Sequence, residues 1–229
     1  MRRRFQAAAL LLGAAGMAGC MGIRQAAPLA MDSRGPPTAA EQQARATLAG
    51  LYPRSTRLTH RAVLTVAGRP YPCDGYLEIS PANELRLAVL TPMGVLTQVK
   101  VSSNGEVRVL SAGSSFRESW SRDYLARDAR LLFAPDTAAL QAGRLADGRP
   151  VLWKRQPDGT RLSYVFGPGG APWQELEIAR GSRRLYHAVC RRQAVFGGPA
   201  REVPAEIRVE AECYTVDLRL CELRASPAL

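Results

Sequence analysis

The chain reads as mainly β, a strongly curved antiparallel half-barrel of about ten or eleven strands closed by a helical plug. Three observations predict this. Period-two apolar segments run from about Thr59 to Leu110 and again from Arg149 to Glu222. Turn residues separate them by a few positions only, and such short connections make an antiparallel meander. Between the two runs, Phe116, Trp120 and Tyr124 fall four apart, the spacing that puts side chains on one helix face.

In chain order, residues 20–37 hold Pro28, Gly35, Pro36 and Pro37 among small residues and read as a flexible tether. A single β domain follows over 38–229. Thr38 stands as N-cap of a short helix over Glu41–Ala49, ended by Gly50 and Pro53. The segments His60–Ala67, Gly75–Ser80, Glu84–Thr91, Val95–Val101 and Val107–Leu110 alternate or run apolar. Arg69-Pro70-Tyr71-Pro72, Pro81-Ala82-Asn83, Pro92-Met93-Gly94 and Asn104-Gly105 punctuate them, the last as a type I′ hairpin turn. The aromatic stripe then marks one or two helices, with Leu131-Leu132-Phe133 extending the apolar surface before Pro135. Such a stripe reads as core packed into a curved sheet rather than as a cofactor box.

Strands resume over Arg149–Arg155, Arg161–Phe166, Trp173–Ala179, Arg184–Ala194 and Val203–Glu210, with Asp158-Gly159 and Gly181-Ser182 at turns. Apolar parity shifts from odd (Val203, Ala205, Ile207, Val209) to even (Tyr214, Val216, Leu218, Leu220). A one-residue slip needs a turn or bulge, which places a last strand over about Cys213–Glu222. A closed barrel is the alternative; an immunoglobulin-like sandwich does not suit the central helices.

The first nineteen residues have the basic, apolar, small-residue layout of a secretory signal peptide: Arg2-Arg3-Arg4, the run Ala7–Gly16, then Met17-Ala18-Gly19 before Cys20. That run is too short to span a membrane. A cysteine directly after Ala-Gly resembles the lipobox of bacterial lipoprotein precursors, which makes Cys20 a lipid anchor carrying palmitate-type acyl chains; a plain secreted protein cut near Gly19 is the other reading. Net charge is +11, and loss of the three leader arginines leaves +8. Only Lys100 and Lys154 are lysines, and the arginines are dispersed. A diffuse positive field favours anionic headgroups or an acidic partner. No nucleic-acid-binding motif is present. Four further cysteines, Cys73, Cys190, Cys213 and Cys221, allow up to two disulfides in an oxidising compartment. Cys213 and Cys221 on one strand would lie about 27 Å apart, far beyond disulfide reach. That leaves Cys73 bonded to one of them, or buried free thiols. The spacings fit no metal site.

Catalysis finds no constellation. His60 and His187 sit inside predicted strands without a nucleophile elbow. Glu175 and Glu177 imitate a glycosidase pair but read as a solvated outer face opposite Leu176 and Ile178. Gly167-Pro168-Gly169-Gly170 lacks the context of a phosphate cradle. The chain reads as no enzyme, with no cofactor.

The order of features is similar to the LolA/LolB family of lipoprotein carriers and acceptors, nearest the lipidated LolB type. Leu85-Arg86-Leu87-Ala88-Val89-Leu90-Thr91-Pro92-Met93-Gly94-Val95 resembles the LolB hairpin, in which an apolar strand ends in an Asn-Pro-Leu-Gly-type turn, and Val203-Pro204-Ala205-Glu206-Ile207 resembles the segment opening its closing hairpin. The resemblance implies an apolar cavity between sheet and helices that receives acyl chains. It sets Met93, followed by Val95, at a protruding tip that touches lipid or membrane, unless Met93 folds back to cap the sheet. Leu77, Ile79, Leu85, Leu87, Val89, Val99, Tyr164, Phe166, Leu176 and Ile178 are the expected cavity lining. Met21 after the anchor cysteine resembles lipoproteins sent to the outer membrane. The implied partners are acyl chains of lipoproteins or phospholipid, a LolA-like periplasmic carrier, and the membrane through the N-terminal lipid, with the chain itself a monomer. A structural or assembly lipoprotein with a filled core is the alternative. Four mature cysteines, the arginine bias and the segment 111–148 depart from the family pattern.

Overall fold

The alternating segments become one antiparallel sheet in the computed structural model, which describes residues 31–32, 37–114, 116–167, 171–196 and 202–225. The signal peptide, Cys20 and Pro168-Gly169-Gly170 lie outside the described residues. The strands are β1 (Met31–Asp32), β2 (Thr56–Val66), β3 (Arg69–Ile79), β4 (Leu85–Thr91), β5 (Gly94–Val101), β6 (Val107–Ala112), β7 (Gln141–Leu145), β8 (Pro150–Arg155), β9 (Arg161–Phe166), β10 (Trp173–Arg180), β11 (Arg183–Val195), β12 (Glu202–Ala211) and β13 (Tyr214–Ala225). Their order is β1-β7-β8-β9-β10-β11-β12-β13-β2-β3-β4-β5-β6. Two meanders are thus joined where β13 pairs with β2, from Tyr214 opposite Val66 to Ala225 opposite Thr56. Among the described residues β1 and β6 are edges, so the sheet is an open half-barrel and not a closed barrel.

Among the described residues thirteen strands stand where ten or eleven were expected. The additions are β7, whose Gln-Ala-Gly-Arg-Leu is too short and polar to alternate visibly, and β1, two residues within the tether. The Pro70–Pro72 stretch also belongs to a strand. There β3 pairs with β2 alone, since β4 joins only at Asp74, and an edge position tolerates proline. Asn104-Gly105 is not a type I′ turn: only Gly105 has positive φ (91°), while Asn104 Oδ1 accepts from the Glu106 N–H. The two-residue hairpin with positive φ at both positions is Ala67-Gly68 (49° and 75°). The β12–β13 turn falls at Glu212-Cys213, one step beyond the expected Glu210–Glu212 slip.

Helix α1 (Ala39–Ala49) starts in a complete capping box: Thr38 Oγ1 accepts from the Glu41 N–H and the Glu41 carboxylate accepts from the Thr38 N–H. It buries Ala44 and Leu48 beside β7 and β8, and Arg45 donates to the Thr137 and Leu140 carbonyls. The predicted plug is one continuous helical segment of three parts, α2 (Glu118–Trp120), a π-helical turn (Ser121–Leu125) and α3 (Ala126–Phe133). It packs on β4 and β5 and buries Ala126, Ala129, Leu132 and Phe133. The main apolar core formed by the described residues runs from Ala44 to Leu220. Among those residues, no helix is long and apolar enough to cross a membrane.

Strand directions define two rims. The turns at Ala67-Gly68, Pro92-Met93, Gly181-Ser182 and Glu212-Cys213 share one of them. On the opposite rim lie the β3–β4, β5–β6 and β7–β8 turns, and β1 leads to that side, because Met31 lies opposite Leu145 and Asp32 opposite Arg144.

Candidate functional site

Period-two alternation turns one face of the longer strands toward the side covered by the plug and α1. Leu58, Leu77, Leu87 and Val99 form one cross-strand row; Ile79, Leu85 and Val101 form the next. In the second meander Tyr164, Leu176 and Ala188 align, as do Leu162 and Ile178. All ten residues expected to line a cavity belong to this single apolar cluster, none more than 8% exposed. Trp173, Tyr164, Tyr186 and Phe166 are its largest fully buried side chains.

The plug is fastened to this wall by a few polar contacts. At its start the Ser121 hydroxyl lies 2.8 Å from Thr97 Oγ1, which also donates to the Ser111 carbonyl. Near its end Arg130 donates to the Ser102 and Ser103 carbonyls, and the Tyr164 hydroxyl donates to the Leu131 carbonyl. Between them lies a triad. Arg127 donates to Asp128 Oδ1 (3.1 Å) and to the Tyr214 hydroxyl (2.8 Å), and that hydroxyl donates to Asp128 Oδ2 (2.5 Å). The guanidinium also stands over the rings of Tyr186 (5.2 Å) and Tyr124 (5.5 Å). Burial pushes the Asp128 carboxyl up to about 6, with Arg127 and Tyr214 acting against the rise. The tyrosine hydroxyls of Tyr214 and Tyr186 are raised by burial as well.

This triad was not read from the sequence, because Asp128 and Tyr214 are 86 residues apart. The available signal was Asp128 itself: it continues the four-residue spacing of Trp120 and Tyr124, a carboxylate on an aromatic helix face. That stripe lies at the margin of the core, with Trp120 and Tyr124 packed against it. Phe116, Trp120 and Tyr124 are half-buried, and the last two pack on Tyr214 at ring-centre distances of 5.1 and 5.5 Å. Because β6 ends and β13 begins at the Met93 rim, these rings form the mouth between plug and sheet on that side. Met93 does not fold back: it is 96% exposed, at a tip braced by Thr91 Oγ1, which accepts from the Met93 N–H and donates to the Gly94 carbonyl. Val95 behind it is 43% exposed.

The two histidines are not brought together. His60 projects from β2 into the concave wall, and His187 projects from β11 to the convex side beside Glu175 and Glu177. Those glutamates do lie opposite Leu176 and Ile178, but Glu177 is not solvated. It is 6% exposed, held by Arg161 (3.2 Å) and Arg184 (2.9 Å). Glu175 meets His187 and Arg149, which depress its carboxyl to about 2. A depressed carboxyl adds stability above its ordinary range and loses it as pH falls toward the lowered value. Glu175→Gln is therefore expected to flatten the acid limb of a stability–pH curve between about pH 4.5 and 2, measured by urea unfolding at each pH. A polar cleft of about 420 Å³ opens nearby, lined by Gln174, Glu175 and Val189–Gln193. At Gly167 a Cβ would meet the Gln174 amide at 2.6 Å, a packing reason for that glycine.

Of the two readings of the cysteines, the Cys73 disulfide does not form, and the free thiols are not all buried: the four described cysteines are free, with Cys213 and Cys221 exposed. Cys73 faces the concave side opposite Ala62, whereas Cys213 lies in the β12–β13 turn and Cys221 at a bulge in β13. Register alone separates Cys73 from each by two strand spacings and several residues, about 14 Å or more, against the roughly 7 Å a disulfide allows. Cys190, on β11, is held by the Arg192 carbonyl.

No protein-family model and no curated protein sequence matches the chain. Solved structures do. A LolA-superfamily protein from Nitrosomonas europaea superimposes with a TM-score of 0.57 at 9% identity, covering 84% of this chain and 96% of its own. A DUF1329-family protein from Desulfovibrio piger gives 0.53 at 13% identity, over 83% and 93%. A domain from Vibrio parahaemolyticus described as an outer membrane lipoprotein-sorting protein gives 0.52 at 9% identity, over 83% and 92%. The chain shares their fold.

Proposed function

We propose that this chain is a non-enzymatic lipid-binding lipoprotein, anchored to the outer membrane through Cys20, which receives acyl chains of lipoproteins or phospholipid on its concave wall and takes them from a periplasmic carrier of related fold. The observation that supports this best is a continuous apolar wall covered by α1 and by a plug that is fastened through few polar contacts. Displacing the plug exposes that wall, and burying an acyl chain there returns about 0.8 kcal/mol per methylene. The aromatic mouth and the Met93 tip give the chain an apolar entrance on one rim.

The test is native mass spectrometry on the chain from Met21 onward, secreted behind a conventional leader and purified without detergent, with solvent extraction of whatever is bound. Bound phospholipid or acylated peptide supports the reading. A clean apo mass with no uptake of offered phospholipid overturns it and leaves a filled module that binds protein. Met93→Asp is expected to leave unfolding stability within about 0.5 kcal/mol, since the side chain touches little, while slowing lipid delivery to vesicles several-fold.

A further inference from the structure

In an otherwise aliphatic stretch of the concave wall stands one polar side chain with an unused hydrogen-bonding atom. His60 projects to the same side as Leu58 and Ala62, between Leu220 on β13 and Gly75 on β3. Beyond Gly75 the row continues to Val89. The residue is 7% exposed, and its Nδ1 has no hydrogen-bond partner in the protein. Gly75 leaves room for the ring: a Cβ there would meet His60 Nε2 at 2.7 Å, besides the Ala88 carbonyl oxygen at 2.5 Å. Burial lowers the imidazole to about 4, so it is neutral at physiological pH and its ring nitrogens offer one donor and one acceptor.

Nδ1 is already buried and unpaired in the free protein, and a plain acyl chain laid over this wall leaves that cost in place. A hydroxyl partway along the chain removes that cost in either tautomer, because it can both donate and accept. We infer that His60 is a specificity-determining residue that selects hydroxylated acyl chains over unsubstituted ones. The inference rests on the lipid-binding reading above and adds the ligand's chemistry to it. Thr97, the other polar residue of this row, offers no equivalent, since its hydroxyl is already engaged by Ser111 and Ser121.

The experiment compares 12-hydroxystearate with stearate, identical but for the hydroxyl, by titration calorimetry on the chain from Met21 onward. The expected result is about tenfold tighter binding of the hydroxylated acid. His60→Leu should bind the two acids alike. His60→Asn, whose side-chain amide keeps a polar group near the Nδ1 position, should retain a preference, and it supplies the comparison if the leucine variant melts early. Equal affinity of the unaltered protein for both acids overturns the inference and leaves the lipid-binding reading standing. Binding of neither acid overturns both.

Discussion

Gly75→Ala is expected to destabilise the fold by about 3 kcal/mol, at the upper end of what overpacking costs, and to lower the melting temperature by roughly 10 °C. The added Cβ would stand 2.5 Å from the Ala88 carbonyl oxygen as well as against the His60 ring. The ring can rotate; the carbonyl belongs to β4, paired on both sides, and can move only if the ladder moves. His60→Ala in the same chain should therefore recover only part of the loss. Thermal unfolding of the two single variants and the double variant measures this. Full recovery would mean that the ring alone made the glycine necessary.

Arg127→Met should cost about 2–3 kcal/mol, placed in the plug rather than spread over the sheet. It leaves the Asp128 carboxylate, 13% exposed, without its cation; the figure is set below that of a fully buried pair because Arg127 is 37% exposed and partly screened. Amide hydrogen exchange should show Ala126–Phe133 losing protection while β8–β12 keep theirs. Pairing it with Asp128→Leu should restore most of that protection, because an apolar pair needs no counter-charge. The same carboxyl gives the plug a pH dependence of defined sign. Its closed-state value near 6 exceeds the ordinary one, so the closed form holds a proton that an open, solvated Asp128 releases between about pH 4 and 6. Lowering the pH from 7 to 5 should increase plug protection, and Asp128→Asn should remove that dependence.

The architecture was legible where side chains repeat with a period. Strand alternation, Thr38 with Gly50 around α1, and the four-residue aromatic spacing gave the open half-barrel and its plug. Legibility failed where order comes from pairing at a distance. Gln141–Leu145 is a strand because β8 lies beside it, and Pro70 and Pro72 stay in one because β4 has not yet joined. The site divides the same way. Its aliphatic wall follows from alternation, but the Arg127–Asp128–Tyr214 triad exists only once β13 lies under the helix. Glu177 looked solvated because Arg161 and Arg184 reach it from neighbouring strands that the local sequence does not display.

The two-residue pairing of β1 with β7 carries an orientational consequence. Met31, opposite Leu145, is the end of β1 nearer the rim opposite Met93. With Cys20 lipidated as proposed, the eleven residue steps from Cys20 to Met31 span about 36–40 Å at full extension. That is about the length of the eleven-residue strands β2 and β3. Bringing the Met93 rim onto the anchoring membrane would then require the whole connection to be drawn out straight, with the domain upended above it. With that anchoring, the aromatic mouth on the Met93 rim is the end remote from the start of β1, and on the function proposed above it is the end open to incoming cargo.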